Sequence, residues 1–269
     1  MDKKILKFVD EKLDLGKKIA FIMLTKSSGS TPRKKGSLMA IDEDYNMIGS
    51  VGGGSLEANV IKQAKEAIKL GEDSEFEYVL EEDKILKMAC GGDASGYIKI
   101  FKPKKKLVIV GLGHVGYEIY KMATNLDFHL TVIEDRKDFV SNDRVKDADE
   151  ILIGDIKKSL KNYNINEDTY VVIVTRGHQF DEIALEEVIY KNPAYIGVIG
   201  SQKKTTKIMN NLINKGIDKN ELKKVYSPIG IDMGSQMPNE IALGILAEIL
   251  IIKNNGNLDH MKNIKSINL

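Results

Sequence analysis

Cysteine is almost absent from this chain: Cys90 is the only one in 269 residues. A single cysteine cannot form an intrachain disulfide, and without further Cys or His at ligand spacing it cannot build a four-ligand zinc site. Scarcity of cysteine is typical of proteins kept in a reducing compartment. We therefore expect a cytoplasmic protein without a structural disulfide or a zinc centre.

Long apolar segments and an excess of one charge sign are lacking as well. The longest apolar segment, residues 241–252, is interrupted by Glu248 and is too short to span a bilayer. The N-terminus has no apolar signal-peptide core, so we expect a soluble, intracellular protein. Lys and Arg number 40 against 39 Asp and Glu, which leaves a net charge of +1. This balance gives no reason to expect nucleic acid or a membrane as a partner.

A basic segment at residues 102–106 (KPKKK) is a predicted linker between two domains. Residues 1–102 mix hairpin-like strands with helices, which predicts a smaller α+β domain. Residues 103–269 alternate apolar strands with helices, which predicts an α/β domain with a Rossmann-type, doubly wound parallel sheet. The predicted strands of this second domain are 107–110, 130–133, 150–153, 170–174 and 195–199. Its predicted helices are 115–125, 181–191, 201–215 and 238–253.

A glycine-rich loop, Gly111-Leu112-Gly113-His114-Val115-Gly116, joins the first of these strands to the first helix. In that context Gly111 permits the tight turn, Gly113 allows a pyrophosphate to approach the backbone, and Gly116 allows the helix to pack closely. The helix N-terminus offers free N–H groups to an anion. The loop therefore predicts a phosphate-bearing ligand, with His114 beside it. The alternative is that the glycines only shape a strand-to-helix turn.

The second strand of the parallel sheet ends in Glu134-Asp135-Arg136. An acidic side chain at this position can accept a hydrogen bond from a ribose 2′-hydroxyl, and Glu134 and Asp135 compete for that role. We favour Asp135, because it lies just past the strand. Arg136 leaves a 2′-phosphate open as the alternative.

Polar residues follow the fourth and fifth strands too: Arg176 and His178 after one, Ser201, Lys203 and Lys204 after the other. In a 3-2-1-4-5 strand order these strand ends share a crevice with the glycine loop, where they supply charge and proton donors. Structural roles compete with ligand binding here. Ser201 is a good N-cap, the two lysines suit a solvated first turn, and His178 suits capping or packing before a helix.

The first domain contains three further candidate elements. The loop 28–36 (SGSTPRKKG), which contains Arg33, can bind an anion through side chains and N–H groups. The turn 50–57 (SVGGGSLE) runs into a helix and is a second anion cradle, although the residues alone favour a plain turn in which Ser55 caps the helix. Cys90, in ACGGD, carries a soft thiolate ligand and nucleophile, against the alternative of a small buried apolar residue.

Taken in order along the chain, these segments resemble the XdhC/CoxI family, the accessory factors of xanthine dehydrogenase and related molybdenum hydroxylases. The resemblance covers residues 25–250. It is carried by the blocks GSTPRKKG at 29–36, GSVGGGSLE at 49–57, CGG at 90–92, GLGHVG at 111–116, YIGVIGSQKK at 195–204, PIGIDMG at 228–234 and PNEIA at 238–242. SQKK at 201–204 departs from the more usual Ser-Arg-Arg-Lys, which weakens an expectation of arginine forks around a phosphate there.

The resemblance implies a protein that holds the molybdenum cofactor, as molybdopterin or a dinucleotide form, assists its sulfuration, and delivers it to an apo-hydroxylase. It also implies a cysteine desulfurase as a further partner and a homodimer. Cys90 becomes the candidate molybdenum contact and the one candidate catalytic residue. The predicted cofactor-binding residues are Arg33, Gly52, Gly53, Gly54, Gly111, Gly113, His114, Gly116, Asp135, Arg176, His178, Ser201 and Lys203.

Two alternatives stay open beside this cofactor-insertion chaperone. One is an NAD(P)-dependent oxidoreductase that uses the Rossmann crevice and acts through His114 or His178. The other is a non-catalytic nucleotide-sensing or docking module with the Rossmann domain as scaffold. No G-x-S-x-G, H-E-x-x-H or G-x-x-x-x-G-K-[ST] motif is present to favour a hydrolase or a P-loop enzyme.

Overall fold

The computed structural model describes residues 1–28, 33–80, 92–140, 143–234 and 236–264. The chain divides into two compact units, Met1–Lys104 and Lys105–Leu269. The described residues form one five-stranded sheet in each unit. Among these residues, no helix combines the length and the apolar character needed to cross a membrane.

The first unit alternates short strands with two helices. Its elements are α1 (Asp2–Asp14), β1 (Ile19–Ser27), β2 (Leu38–Asp42), β3 (Met47–Gly49), α2 (Gly54–Leu70), β4 (Ser74–Leu80) and β5 (Gly92–Phe101). The strands pair in the order β3-β2-β1-β5-β4, with antiparallel neighbours throughout. The predicted hairpin around residues 42–46 is present as β2 and β3.

The core of the first unit follows from side-chain periodicity. Ile22 and Leu24 of β1 and Ile98 of β5 are fully buried on one face of the sheet, because alternate residues of a strand point to the same side. Val60 and Ala64 of α2 pack into the same cluster, one helical turn apart. A smaller cluster centred on α1 covers part of the sheet through different strand residues.

The second unit carries the parallel sheet. Its strands are β6 (Lys105–Val110), β7 (Phe128–Glu134), β8 (Glu150–Ile153), β9 (Thr169–Ile173) and β10 (Tyr195–Val198). Its helices are α3 (His114–Ala123), α4 (Ile156–Asn162), α5 (His178–Val188), α6 (Gln202–Asn214), α7 (Lys219–Leu222), α8 (Pro238–Lys253) and α9 (Met261–Ile264). The order β10-β9-β6-β7-β8 is the predicted 3-2-1-4-5 arrangement. Apolar clusters lie on both faces of the sheet, so the doubly wound Rossmann-type fold is confirmed.

Three local predictions for this unit were wrong. Lys105 and Lys106 belong to β6 rather than to a linker, because they pair with residues at the start of β7. Helix α4 was not predicted, since only two of its seven residues are buried and apolar; the Asp155 side chain caps it by accepting from Lys158 N–H. Helix α5 begins at His178, three residues before the predicted start, because Gly177 serves as its N-cap.

Candidate functional site

The glycine loop forms a close strand-to-helix turn at the carboxyl end of β6. Gly111 has a φ of +101°, and a Cβ there would lie 2.7 Å from the carbonyl oxygen of Val174. A Cβ on Gly116 would lie 2.0 Å from the carbonyl oxygen of Gly111. These two glycines are therefore required by the turn itself and by the approach of α3 to it.

Gly113 has a different environment from the other two loop glycines. A Cβ at this position would meet no heavy atom within 4 Å. Gly113 is the N-cap of α3 and, as a glycine, supplies no side-chain capping hydrogen bond to this helix end. Because the first N–H groups of a helix have no intrahelical acceptor, the loop presents donors beside open space. That is the geometry that an anionic group needs, with the exposed His114 at the first helical position.

The Leu112 peptide group in the middle of the loop is held from both ends. Its N–H donates to Glu134 Oε2 at 2.6 Å, and its carbonyl accepts from Arg144 Nη2 at 3.4 Å. Glu134 is buried, and its carboxylate also accepts from Arg136 Nε at 2.8 Å and Nη2 at 2.9 Å. Burial disfavours the charged form of Glu134, but the donors from Arg136 and Leu112 outweigh it and lower its pKa to about 2.

The Glu134 carboxylate, charged at neutral pH, therefore fixes the glycine loop through Leu112 N–H. The sequence indicated Glu134 only as a competitor of Asp135 for a ribose. The role of Arg144 was not predicted, because nothing in the sequence brings it to a residue 32 positions earlier.

Asp135 and Arg176 form an ion pair at the carboxyl edge of the same sheet. Arg176 Nη2 donates to Asp135 Oδ2 at 2.7 Å. Asp135 follows β7 and Arg176 follows β9, and these strands flank β6, so the ion pair spans the carboxyl end of β6. Burial and the neighbouring Glu134 raise the pKa of Asp135, and the charge of Arg176 opposes that shift. The structure thus brings together two residues that the sequence predicted separately.

Aromatic rings stack against the three arginines that contact Glu134, Leu112 and Asp135. The guanidinium carbon of Arg136 lies 3.6 Å from the centre of the Phe139 ring, and that of Arg144 lies 4.3 Å from the Tyr117 ring. Arg176 lies 4.6 Å from the Phe180 ring. Such stacking restricts where a guanidinium can point.

An ion pair between Lys204 and the buried Asp181 carboxylate joins the segments that follow β9 and β10. Asp181 is fully buried and accepts from Thr175 Oγ1 at 2.6 Å. Lys204 Nζ lies 2.6 Å from Asp181 Oδ2, an oxygen that makes no well-directed hydrogen bond, so Lys204 acts there as a charge partner. Lys204 is therefore held by the protein, contrary to its prediction as a solvated or ligand-facing cation.

The remaining predicted residues of this edge are exposed. Ser201 is the N-cap of α6 and accepts from Lys204 N–H at 3.4 Å, which is the structural alternative considered for it. Lys203 lies in the first turn of α6 with its side chain in solvent. His178 is exposed at the first position of α5 and does not cap that helix, since Gly177 does.

In the first unit, the two predicted anion-binding turns share a small cavity. It has a volume of about 250 Å³, and its lining includes Arg33 and Lys35 from one turn and Ser50 from the other. Ser50 Oγ also contacts Glu57 Oε2 at 2.5 Å. The glycines at 52–54 lead into α2, whose N-cap is Gly53 without a side-chain hydrogen bond. Ser55, expected as a cap, lies inside the helix instead.

Cys90, the block 90–91 and residues 29–32 lie outside the described residues. Over the described ranges, no group of three or more His, Cys, Asp or Glu side chains is placed to hold a metal ion. The assignment of Cys90 as a molybdenum contact stays a prediction.

Comparison with protein families matches both units of the chain. Residues 107–249, more than half of the chain, match the model of the XdhC Rossmann domain. Residues 13–79 match the model of the XdhC and CoxI family. The chain belongs to the XdhC/CoxI family. The expected family resemblance is thereby confirmed.

Curated relatives of this XdhC/CoxI chain are distant in sequence. The uncharacterized protein YqeB of Escherichia coli (strain K12) is 27% identical over 239 residues, covering 88% of this chain and 44% of YqeB. A probable xanthine dehydrogenase subunit of Bacillus subtilis (strain 168) is 24% identical, covering 57% of this chain and 44% of that protein. The chain thus spans less than half the length of these two relatives. The molybdenum cofactor insertion chaperone PaoD of E. coli is 21% identical, covering 93% of this chain and 88% of PaoD.

A solved structure shares the fold of this XdhC/CoxI chain. It is described as a xanthine dehydrogenase from Bacillus halodurans. The two chains superpose with a TM-score of 0.52 at 20% identity, and the match covers 94% of this chain and 98% of the other. At this identity the match supports the architecture alone.

Proposed function

We propose that this chain is an accessory factor that binds molybdenum cofactor, assists its sulfuration and promotes its insertion into a xanthine dehydrogenase-like molybdenum hydroxylase. Family membership and the PaoD relative, a molybdenum cofactor insertion chaperone matched over most of both chains, support this role. The structural observation that carries the proposal is the open, uncapped N-terminus of α3 at Gly113. The cofactor is cargo here, and its redox chemistry belongs to the client enzyme.

The chemistry of the donors fits the phosphate-bearing part of such a ligand. The α3 N-terminus offers backbone N–H groups and the positive end of the helix dipole. In the first unit, the cavity lined by Arg33 is a second proposed place for an anionic group, and the turn of Gly52, Gly53 and Gly54 before α2 is a third. Each of these elements, taken by itself, is a proposed place for the phosphate or dinucleotide end of the cofactor. His114, His178, Ser201 and Lys203 complete the proposed binding set around the Rossmann crevice.

Cys90 is assigned to the metal end of the cofactor, as a thiolate contact to molybdenum or as the residue that handles the transferred sulfur. Thiolates are soft metal ligands, and Cys90 is the only residue of this sequence that can provide one. The proposed partners are an apo-hydroxylase, a cysteine desulfurase as the sulfur source, and a second copy of this chain in a homodimer.

Activation of a purified apo-hydroxylase tests this function. Molybdenum cofactor, the client, a cysteine desulfurase and its substrate L-cysteine are incubated with and without the chain, and hydroxylase activity is followed. We expect the wild-type chain to accelerate activation, Cys90→Ala to lose the sulfuration-dependent part, and Cys90→Ser to behave as Cys90→Ala. Full activation by Cys90→Ala would contradict the role of the thiol, and no acceleration by the wild type would contradict the accessory function.

An NAD(P)-dependent oxidoreductase is the second candidate, because the glycine loop and Asp135 also suit a nicotinamide dinucleotide. Turnover separates the two candidates. Oxidation or reduction of a nicotinamide nucleotide by the purified chain, seen as a change in absorbance, would favour the oxidoreductase. Cofactor retention without turnover would favour the accessory factor over it.

A further inference from the structure

The two helices of the first unit cover its sheet unequally. The buried cluster under α2 includes residues of β1, β2, β4 and β5, whereas the cluster around α1 on the other face includes none of β4 or β5. Glu75 and Glu77 flank Phe76 of the α2 cluster, so their side chains point away from α2. A cavity of about 620 Å³ lies there, over β4, β5 and the end of β1. Its polar lining, here called the trough, consists of Thr25, Lys26, Glu75, Glu77, Ser95 and Tyr97.

We propose that the trough binds the pterin ring of the molybdenum cofactor. A pterin is a neutral, planar, fused heterocycle with N–H donors along one edge and acceptors along the other. The inference rests on the proposed function and deepens it, because that function assigns residues to the phosphate end and the metal end of the cofactor but none to its ring.

The register of the strands places opposite charges on the two sides of the trough. Lys26 of β1 pairs with Ser95 of β5, and Ser95 pairs with Glu77 of β4. Side chains that lie directly opposite one another in antiparallel strands share a face of the sheet. The backbones of Lys26 and Glu77 are therefore separated by two strand spacings, about 10 Å, with a small hydroxyl side chain between them.

A β-bulge adds a second polar side chain to the β1 side of the trough. The pairing of β1 with β5 shifts register between Leu24 and Lys26. Thr25 and Lys26 consequently both line the trough, although neighbouring residues of a regular strand point to opposite faces. Thr25 Oγ1 donates to the Ser95 carbonyl at 3.1 Å and so holds the bulge against β5.

The charged groups of the trough are not neutralised by the protein. In the ranges that the structure describes, Lys26, Glu75 and Glu77 belong to no ion pair, whereas the neighbouring Asp73 is paired with Lys99. Lys26 thus reaches neither of the two carboxylates across the trough. A ligand with donors on one edge and acceptors on the other complements both sides at once.

The two edges of a pterin match the two sides of the trough. The amino group and the adjacent ring N–H point in the same direction, so one carboxylate of Glu75 or Glu77 can accept from both, as a carboxylate does from an arginine fork. The oxo group and ring nitrogens on the other edge accept from the Lys26 ammonium. A ring that carries both edges therefore spans the trough from β4 to β1.

Tyr97 supplies aromatic surface for the ring. Its side chain is 38% exposed, and its hydroxyl donates to Asp73 Oδ2 at 3.1 Å. The hydrogen bond fixes the tip of the side chain while part of the ring stays open to a ligand. Aromatic side chains fixed in this way contribute stacking surface at little entropic cost.

Binding of free pterin to the full-length chain tests the inference, with the fluorescence of the pterin as readout. We expect Glu77→Gln to weaken pterin binding at least about tenfold, the effect of losing a charged hydrogen-bond acceptor. Tyr97→Leu should weaken it at least about fivefold, the effect of losing one stacked ring. Glu72→Gln is the matched control, since it makes the same change at an exposed position just before β4, and should leave the dissociation constant unchanged.

Two further probes identify the ring that the trough selects. Guanosine presents the same amino and ring N–H pair on a purine, and adenosine lacks that pair. We expect pterin to bind more tightly than guanosine, and adenosine to bind least. Tighter binding of guanosine or adenosine than of pterin, an unchanged constant in Glu77→Gln, or no binding of pterin at millimolar concentration would each overturn the inference.

The outcome is separable from that of the proposed function, because free pterin binds without a client enzyme. A chain that binds pterin through Glu77 but fails to activate an apo-hydroxylase would leave the trough assigned and remove the accessory role. Equal activation of the hydroxylase by the wild type and Glu77→Gln, with no binding of free pterin to either, would do the reverse.

Discussion

Replacing Gly113 by aspartate should raise the thermal stability of the chain and lower its affinity for the proposed ligand. Gly113 has extended backbone angles, φ −66° and ψ −166°, which an aspartate N-cap adopts without strain. A Cβ there meets no heavy atom within 4 Å, so the side chain fits. Capping by Asp in place of Gly gains a few tenths of a kcal/mol, and a negative charge at a helix N-terminus adds about 0.3–1 kcal/mol. We expect the melting temperature of Gly113→Asp to rise by about 2 °C.

The same carboxylate occupies the proposed anion site. Two unit charges 4 Å apart repel by about 4 kcal/mol at an effective dielectric constant of 20, which corresponds to roughly a thousandfold in affinity. Solvent and salt screen part of this, so we expect Gly113→Asp to lose at least a hundredfold in affinity for molybdenum cofactor. The assay is the molybdenum and pterin retained per chain after gel filtration, read beside the thermal unfolding curve.

Gly113→Asn is the matched control, because it caps the helix with a side chain of the same shape and no charge. We expect Asn to weaken retention less than Asp, by at least about tenfold, since the difference between them is the charge alone. A Gly113→Asp chain that folds and retains cofactor as the wild type does would contradict an anion site at this helix end. Such a result would place the anionic group away from the N-terminus of α3.

Three further changes test the supports of the site by urea unfolding. Gly116→Ala should cost about 2–3 kcal/mol, because its Cβ would lie 2.0 Å from a loop carbonyl oxygen; an unchanged midpoint would contradict the packing. Glu134→Gln should cost about 2 kcal/mol at pH 7. That cost should shrink as the pH falls from the ordinary value of 4.5 towards about 2, since a lowered pKa stabilises the fold only above that range; a pH-independent cost would contradict it. Lys204→Met should cost about 3 kcal/mol, because it leaves the buried Asp181 carboxylate unpaired, and adding Asp181→Asn should recover part of the loss.

The sequence was sufficient for the features that repeat along the chain. Alternating apolar strands and helices predicted the parallel sheet and its order, because the strands of a doubly wound sheet are buried on both faces. The glycine loop was predictable for the same local reason: a strand, a tight turn and a helix follow one another within Leu107–Ala123.

The different contacts of the two carboxylates, Glu134 with the glycine loop and Asp135 with Arg176, were not predictable in this way. Neighbouring residues at a strand end point to opposite sides, and which of them meets the loop depends on the register between β6 and β7. The ion pair between Asp135 and Arg176 joins residues 41 positions apart. The contact of Arg144 with Leu112 depends on a loop outside any regular element. Composition and spacing contain no signal for such contacts.

The most direct test of the central claim is the molybdenum and pterin content of the chain purified after co-expression with a molybdenum hydroxylase. Metal analysis and the fluorescence of the oxidised pterin give both amounts per chain. We expect molybdenum and pterin to co-purify in equal amounts with the wild-type chain and to be lost from Gly113→Asp. A wild-type chain free of both, from cells in which the hydroxylase is fully active, would contradict it.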